Sequence, residues 1–148
     1  MHYPVNFPQV EKPWGWQRPV LRNEPLHVDE IEVSPGGYCS VHRHTKKVNL
    51  FHVLKGKLAI FVFSEDGAII RTEPMEAGEW CIIEAGEWHQ FWSQKGCLAQ
   101  EVYYGTEEQI QVIHGDIDRK KEHAVGGIAP MLHGLPSMAG IYLQEAGS

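Results

Sequence analysis

Residues 36–56 read GGYCSVHRHTKKVNLFHVLKG, and the spacing of the polar residues within them decides the fold. His42 and His44 are separated by one residue, so on an extended strand both imidazoles turn to the same face. Asn49 follows five residues after His44. Gly56 then lies between the apolar runs NLFHVL and LAIFVF, where a tight turn is expected. Two histidines on one strand face grip a divalent ion from one side only, and a further ligand must come from elsewhere. Residues 78–92, GEWCIIEAGEWHQFW, offer His89, three residues after Gly86.

The flanking sequence is built of short alternating segments. In HVDEIEV, residues 27–33, the period of two puts Val28, Glu30 and Glu32 on one face and Asp29, Ile31 and Val33 on the other. Ser34-Pro35-Gly36-Gly37 is a turn, and Tyr38 to His44 is expected as the next strand, with Tyr38, Ser40, His42 and His44 on one face. Lys47 to Leu54 and Lys57 to Phe63 follow, and Ser64-Glu65-Asp66-Gly67 carries a hairpin signal. Strands are also expected over 68–72, 79–83, 88–92 and 98–103. Many short strands without a long helical period between them mean an all-β sandwich or barrel. LAIFVF is apolar on both faces, which predicts cover on its second side, from a partner subunit for instance. Residues 106–113 fit either a short helix or a last strand.

Parity refines the metal-binding candidates. With His42 and His44 facing inward, Asn49 shares the inner face of its strand with Phe51 and Val53, while His52 falls on the outer face with Leu50 and Leu54. His89, Phe91 and Ser93 share a face in the same way. Three neutral imidazoles meeting inside an apolar barrel each have an acceptor nitrogen in need of a partner, and one divalent ion satisfies all three. The alternative is a barrel that uses the histidines as hydrogen-bonding groups toward a ligand.

Length and composition set outer bounds. The chain has 148 residues, 43% of them hydrophobic and 22% charged, which suits one globular domain. A formal net charge of -6 argues against general binding to nucleic acid or anionic membranes. No apolar run approaches a membrane span, and MHYPVNFPQVEK lacks a signal peptide's apolar stretch, so the expected address is the cytoplasm. Cys39, Cys81 and Cys97 have no metal-knuckle spacing and are expected to be buried, reduced thiols.

The two histidine stretches resemble the cupin family. Its first motif, G-(x)5-H-x-H-(x)3-4-E-(x)6-G, is matched in every spacing from Gly36 through His42, His44 and Asn49 to Gly56, with Asn49 in place of the glutamate. Its second motif, G-(x)5-P-x-G-(x)2-H-(x)3-N, runs from Gly78 through Glu84, Gly86 and His89 to Ser93. The resemblance implies an all-β cupin jelly roll over residues 23–119, with an N-terminal arm at 1–22 and an irregular tail at 120–148 laid on the barrel. It also implies one divalent metal ion held by His42, His44 and His89. Asn49 is either a fourth ligand or a neighbour of the ligands, and the metal is open among zinc, iron, manganese and nickel.

Further motifs resemble mannose-6-phosphate isomerases of the type fused to a guanylyltransferase. EKPWGW at 11–16, Glu101-Val102 and Asp116-Ile117-Asp118-Arg119 stand where that family has R/K-P-W-G, I-E-V-Q and D-D-I-V-R. The family's H-x-H-R-A-E-H-W is HRHTKKVNLFHV here, without the glutamate. This resemblance implies proton transfer between adjacent carbons of an open-chain sugar through a metal-stabilised enediolate. Glu101 would be the base or a substitute ligand, and Lys46, Lys47 and Arg119 would hold a phosphate or sugar hydroxyls. The expected partners are a small polyhydroxylated substrate and a second copy of the chain. Two other classes stay open: a three-histidine ferrous dioxygenase and a non-catalytic module binding a small ligand such as a sugar.

Overall fold

A computed structural model describes residues 7–105 and the backbone of 110–112. Arg119, the Asp116–Arg119 motif and the expected tail at 120–148 lie outside the described residues. Among the described residues ten strands form: β1 (Val10–Lys12), β2 (Gly15–Asn23), β3 (Leu26–Val33), β4 (His42–His44), β5 (Val48–Phe63), β6 (Ile69–Glu76), β7 (Trp80–Ile83), β8 (Trp88–Trp92), β9 (Cys97–Tyr104) and β10 (Ile110–Val112). Every strand pairing is antiparallel, and the main path runs β1-β2-β3-β9-β5-β8-β4-β10, with β6 and β7 also on β5. The result is a jelly roll. Among the described residues no helix is long and apolar enough to cross a membrane.

The tight turn expected at Gly56 does not form. β5 continues through it, and what Gly56 permits is a bend between two sheets. The first half of β5 pairs with β7 and β9, and the second half with β6 and β8. The register shifts between Val53 and Lys55, and Gly56 has φ of 78°, a combination by which a strand turns a corner from one sheet to the next. A Cβ on Gly56 would lie 2.5 Å from the Gly96 carbonyl oxygen, so the close approach of these two backbones also requires glycine.

Inside, Ile31, Val33, Phe51, Val53, Leu58, Ile60, Val62, Ile83, Phe91 and Ala99 belong to one buried cluster. The Asp29–Ile31–Val33 face of β3 points inward, as the alternation predicts. The opposite face of LAIFVF is also buried, but the chain covers it itself: Ala59, Phe61 and Phe63 cluster with Tyr38, Val41 and Trp92. No second subunit is needed to shield this strand.

That cover corrects the expected strand from Tyr38 to His44. Only His42–His44 is extended in register, and Tyr38 makes an isolated bridge to Trp92. Cys39 joins the inner cluster while Tyr38 and Val41 join the outer one. Side chains replace part of the ladder here: the Gln90 amide donates to the Cys39 carbonyl at 2.9 Å and the Phe91 N–H to Cys39 Sγ at 3.1 Å, while the Cys39 N–H still donates to the Phe91 carbonyl at 3.2 Å. Cys39, Cys81 and Cys97 are all free and buried.

Within the expected N-terminal arm, β1 and most of β2 are strand. β2 runs the length of β3 and ends at Asn23, and Trp14 is buried edge-on against Phe91 with ring centroids 4.9 Å apart. This gives the PWG segment a packing role.

Gly56→Ala is expected to cost at least about 2 kcal/mol, because left-handed strain and the clash with Gly96 add. Gly67 has a similar φ of 87° with open space around it, so Gly67→Ala should cost only about 1 kcal/mol. Denaturant melts of the two variants against wild type check the difference.

Candidate metal centre

The three histidines meet. β4 and β8 lie antiparallel with His42 directly opposite His89, and the inward parity of β4 adds His44. One ligand atom from each comes within 4.8 Å of the others. The ring centroids stand 4.4 Å apart for His42 and His89, 5.1 Å for His42 and His44, and 5.7 Å for His44 and His89. His44 and His89 are buried and His42 is half-buried.

Backbone carbonyls set the tautomers. His42 Nδ1 lies 2.8 Å from the Ser40 carbonyl oxygen, and His89 Nδ1 lies 2.9 Å from that of Glu87. A ring nitrogen that donates to a carbonyl carries the proton, which leaves Nε2 with its lone pair, the form a metal takes. His89 Nε2 is buried and makes no hydrogen bond within the protein. Burial holds the His89 imidazole well below the ordinary histidine range, reinforced by the neighbouring His42 and His44 and opposed by the bond to Glu87. An uncharged, desolvated nitrogen beside two more histidines fits a divalent ion of the imidazole-binding kind.

Outside the barrel, Arg43 fixes the short β4. Its guanidinium lies 4.5 Å from the Trp88 ring centre and 2.6 Å from Glu65. Trp88 and Trp92 face away from His89, and His52 stacks flat on Trp80 at 3.9 Å on the outer face, as parity requires.

Asn49 and Glu101 are buried on inward faces, and Glu101 is not among the three clustered donors. Both amide atoms of Asn49 are buried without a hydrogen bond of normal geometry, and the amide lies near enough to Glu101 to favour its ionised form. Glu101 is 4% exposed and accepts a hydrogen bond from the Tyr103 hydroxyl. Burial pushes its carboxyl up to about 7 against the pull of Tyr103, and Asp29 raises it further.

A cavity of about 200 Å³ opens beside His44, lined by Gln17, Arg22, His27, Asp29, His44, Lys47 and Tyr103. Of the expected substrate-binding residues, Lys47 lines this cavity. Lys46 is exposed and outside this lining, and Arg119 lies outside the described residues. Glu101 is not on the cavity wall, and Tyr103 stands there in its stead. Sequence reasoning missed Tyr103, Asp29, Arg22, Gln17 and His27. The first two were within reach, since Tyr103 shares the parity of Glu101 and Asp29 sits on the apolar face of HVDEIEV. A register shift between Pro19 and Leu21 hides the facing of Gln17 and Arg22.

Residues 29–96 match the family model for the Cupin domain, and the jelly roll and the histidine cluster are in keeping with that match. Solved structures of the same fold include the Lactobacillus farciminis oxalate decarboxylase formate complex, at 17% identity and TM-score 0.62 over 73% of this chain and 34% of that one. Bacillus subtilis oxalate decarboxylase at pH 4.6 gives 17% identity and TM-score 0.60, over 76% and 35%. An uncharacterized conserved protein with a double-stranded β-helix domain from Klebsiella pneumoniae gives 14% identity and TM-score 0.57, over 78% and 85%. The chain thus spans about a third of the decarboxylase chains it matches. A comparison with curated proteins gives no match.

The folded Glu101 carboxyl keeps its proton to about pH 7, whereas the unfolded one releases it near 4.5. The folded state therefore binds more protons across that window, and stability falls as pH rises through it, by on the order of 3 kcal/mol in metal-free protein. Glu101→Gln should remove most of this slope, raising the melting temperature more at pH 8 than at pH 5. Equal shifts at both pH values in thermal melts would contradict the assignment.

Proposed function

We propose that this chain is a metal-dependent cupin that transforms a small, polar, hydroxylated molecule seated in the cavity beside His44. The observation that carries the reading is the set of three histidine donor atoms within 4.8 Å, two of them oriented by backbone carbonyls. A bound divalent ion would act as a Lewis acid on a carbonyl or hydroxyl oxygen.

The chain's own groups fit the proton transfer of an aldose–ketose isomerisation. Tyr103 lines the cavity and its hydroxyl donates to Glu101 behind it, so that a substrate proton taken at the Tyr103 oxygen would be balanced by passing the hydroxyl's own proton to that carboxylate. Glu101 then acts through Tyr103 rather than by touching substrate. Lys47 and Arg22 supply charge on the cavity wall. A sugar or sugar-phosphate isomerase is the reaction we infer, on the strength of this relay together with the Glu101-Val102 resemblance. One observation favours a ferrous dioxygenase instead: among the described residues the donor cluster is all nitrogen, with no carboxylate.

Elemental analysis of untagged protein should find about one divalent ion per chain in wild type and in Trp16→Ala, and a loss of most of it in His44→Ala and His89→Ala. Equal metal in all four would refute the ligand assignment. Anaerobic interconversion of an aldose and ketose pair supports the isomerase, whereas substrate-dependent oxygen uptake by iron-loaded protein transfers the reading to the dioxygenase.

A further inference from the structure

The turn that leads into β8, Glu84-Ala85-Gly86-Glu87, touches two of the three histidines. The Gly86 N–H donates to the His44 carbonyl at 2.8 Å, and the Glu87 carbonyl accepts from His89 Nδ1 at 2.9 Å. One short segment therefore holds the backbone of one histidine and the ring of another. Whatever fixes this turn fixes both.

The Glu87 side chain closes it. Its carboxylate accepts from the Glu84 N–H at 2.8 Å, and the Glu87 N–H donates to the Glu84 carbonyl at 3.2 Å. The cupin motif has proline at position 84, which carries no N–H, so this closure belongs to the present sequence rather than to the motif. Arg71 grips the same carboxylate from β6. Its Nη1 lies 3.0 Å from one oxygen and its Nη2 3.1 Å from the other, a two-pronged pairing that fixes direction as well as distance. Nη2 also lies 3.4 Å from the Ile82 carbonyl near the end of β7, and Nε stands 3.1 Å from Glu73. The register puts Arg71 within reach: Val62 of β5 is paired with Arg71 on one side and with His89 on the other. Arg71 and Glu87 keep 38% and 25% of their side-chain surface exposed, so as an ion pair they add little to stability. What the pair supplies is orientation.

We propose that Arg71 and Glu87 are positioning residues of the metal centre: the Arg71 guanidinium holds the Glu87 side chain, which holds the turn, whose carbonyl keeps His89 protonated at Nδ1 and its Nε2 free for a divalent ion. This rests on reading the three histidines as metal ligands and adds what sets their readiness. Neither residue touches the ion or a substrate. Their effect passes through the backbone of residue 87, as hydrogen bonds behind a ligating imidazole ordinarily act.

Zinc affinity, measured by competition with a chromophoric chelator, and the visible spectrum of cobalt-loaded protein test this in wild type, Arg71→Met, Glu87→Gln and the double variant. Each single change is expected to weaken zinc about tenfold, the lower end of what losing a group that orients a ligating histidine costs, and to alter the cobalt bands. The double variant should bind no more weakly than the singles, because both remove one clamp. Arg71→Lys keeps the charge without the two-pronged geometry and should recover part of the affinity. Arg18→Met breaks an ion pair of similar exposure, with Glu30 at 2.6 Å, that has no link to the histidines, and should leave zinc binding unchanged. An equal loss in Arg18→Met, or unchanged zinc affinity in Arg71→Met or Glu87→Gln, would overturn the proposal. Nitrogen-15 spectra of the imidazoles in metal-free protein decide the matter if the wild type takes up no metal. His89 protonated at Nδ1 in wild type and a mixture of tautomers in both variants would then sustain the clamp and defeat the metal-dependent function, whereas one unchanged tautomer throughout would defeat the clamp as well.

Discussion

The corner in β5 is the constraint on which the molecule depends. A sixteen-residue strand, Val48–Phe63, is hydrogen-bonded to four others, two along each half, and among the described residues no other strand joins the two sheets so extensively. Straightening it at Gly56 would separate the halves. Asn49 and Phe51 would then lose their place opposite β9, and β8 would no longer be carried along Ala59–Phe63 to present His89. The site is thus a product of the bend as much as of the histidines. The clash that any side chain at Gly56 would make with Gly96 shows how closely the two sheets approach there.

The chemistry around the histidines follows from which groups are satisfied by the protein and which are not. Two imidazoles spend their Nδ1 protons on backbone carbonyls, so their remaining nitrogens are directed inward as lone pairs. Two inward carboxylates, Asp29 and Glu101, are both engaged by neighbours, the first by Arg22 and Gln17 and the second by Tyr103. The protein therefore brings bases and cations to the centre but withholds its negative charge from it. That division of charge makes the centre receptive to a ligand rather than self-sufficient.

The strand period made much of this legible. His42, His44, Asn49, Phe51 and His89 all face inward as alternation demands, and His52 faces out. Failures came where the backbone departs from strict alternation. Gly56 was taken for a turn because glycine between two apolar runs has the same appearance whether the chain reverses or bends. The break at residues 39–41 depends on the Gln90 side chain, fifty-one positions away, and no local pattern reports it. The facing of Arg22 was hidden by the irregularity after Pro19. Glu101 was named from the resemblance, whereas the hydrogen bond it accepts from the Tyr103 hydroxyl is a tertiary fact.

The pairing of β4 with β8 rests on a single registered couple, His42 with His89, the same two residues whose tilted rings lie 4.4 Å apart across it. The seam between these strands is consequently the thinnest in that sheet among the described residues, and it runs through the candidate metal centre itself. An ion shared by the two rings would act as a clasp across it, trading local breathing for rigidity. Occupancy would then be felt first as slower exchange of the amide protons flanking the seam, long before it altered the stability of the whole fold.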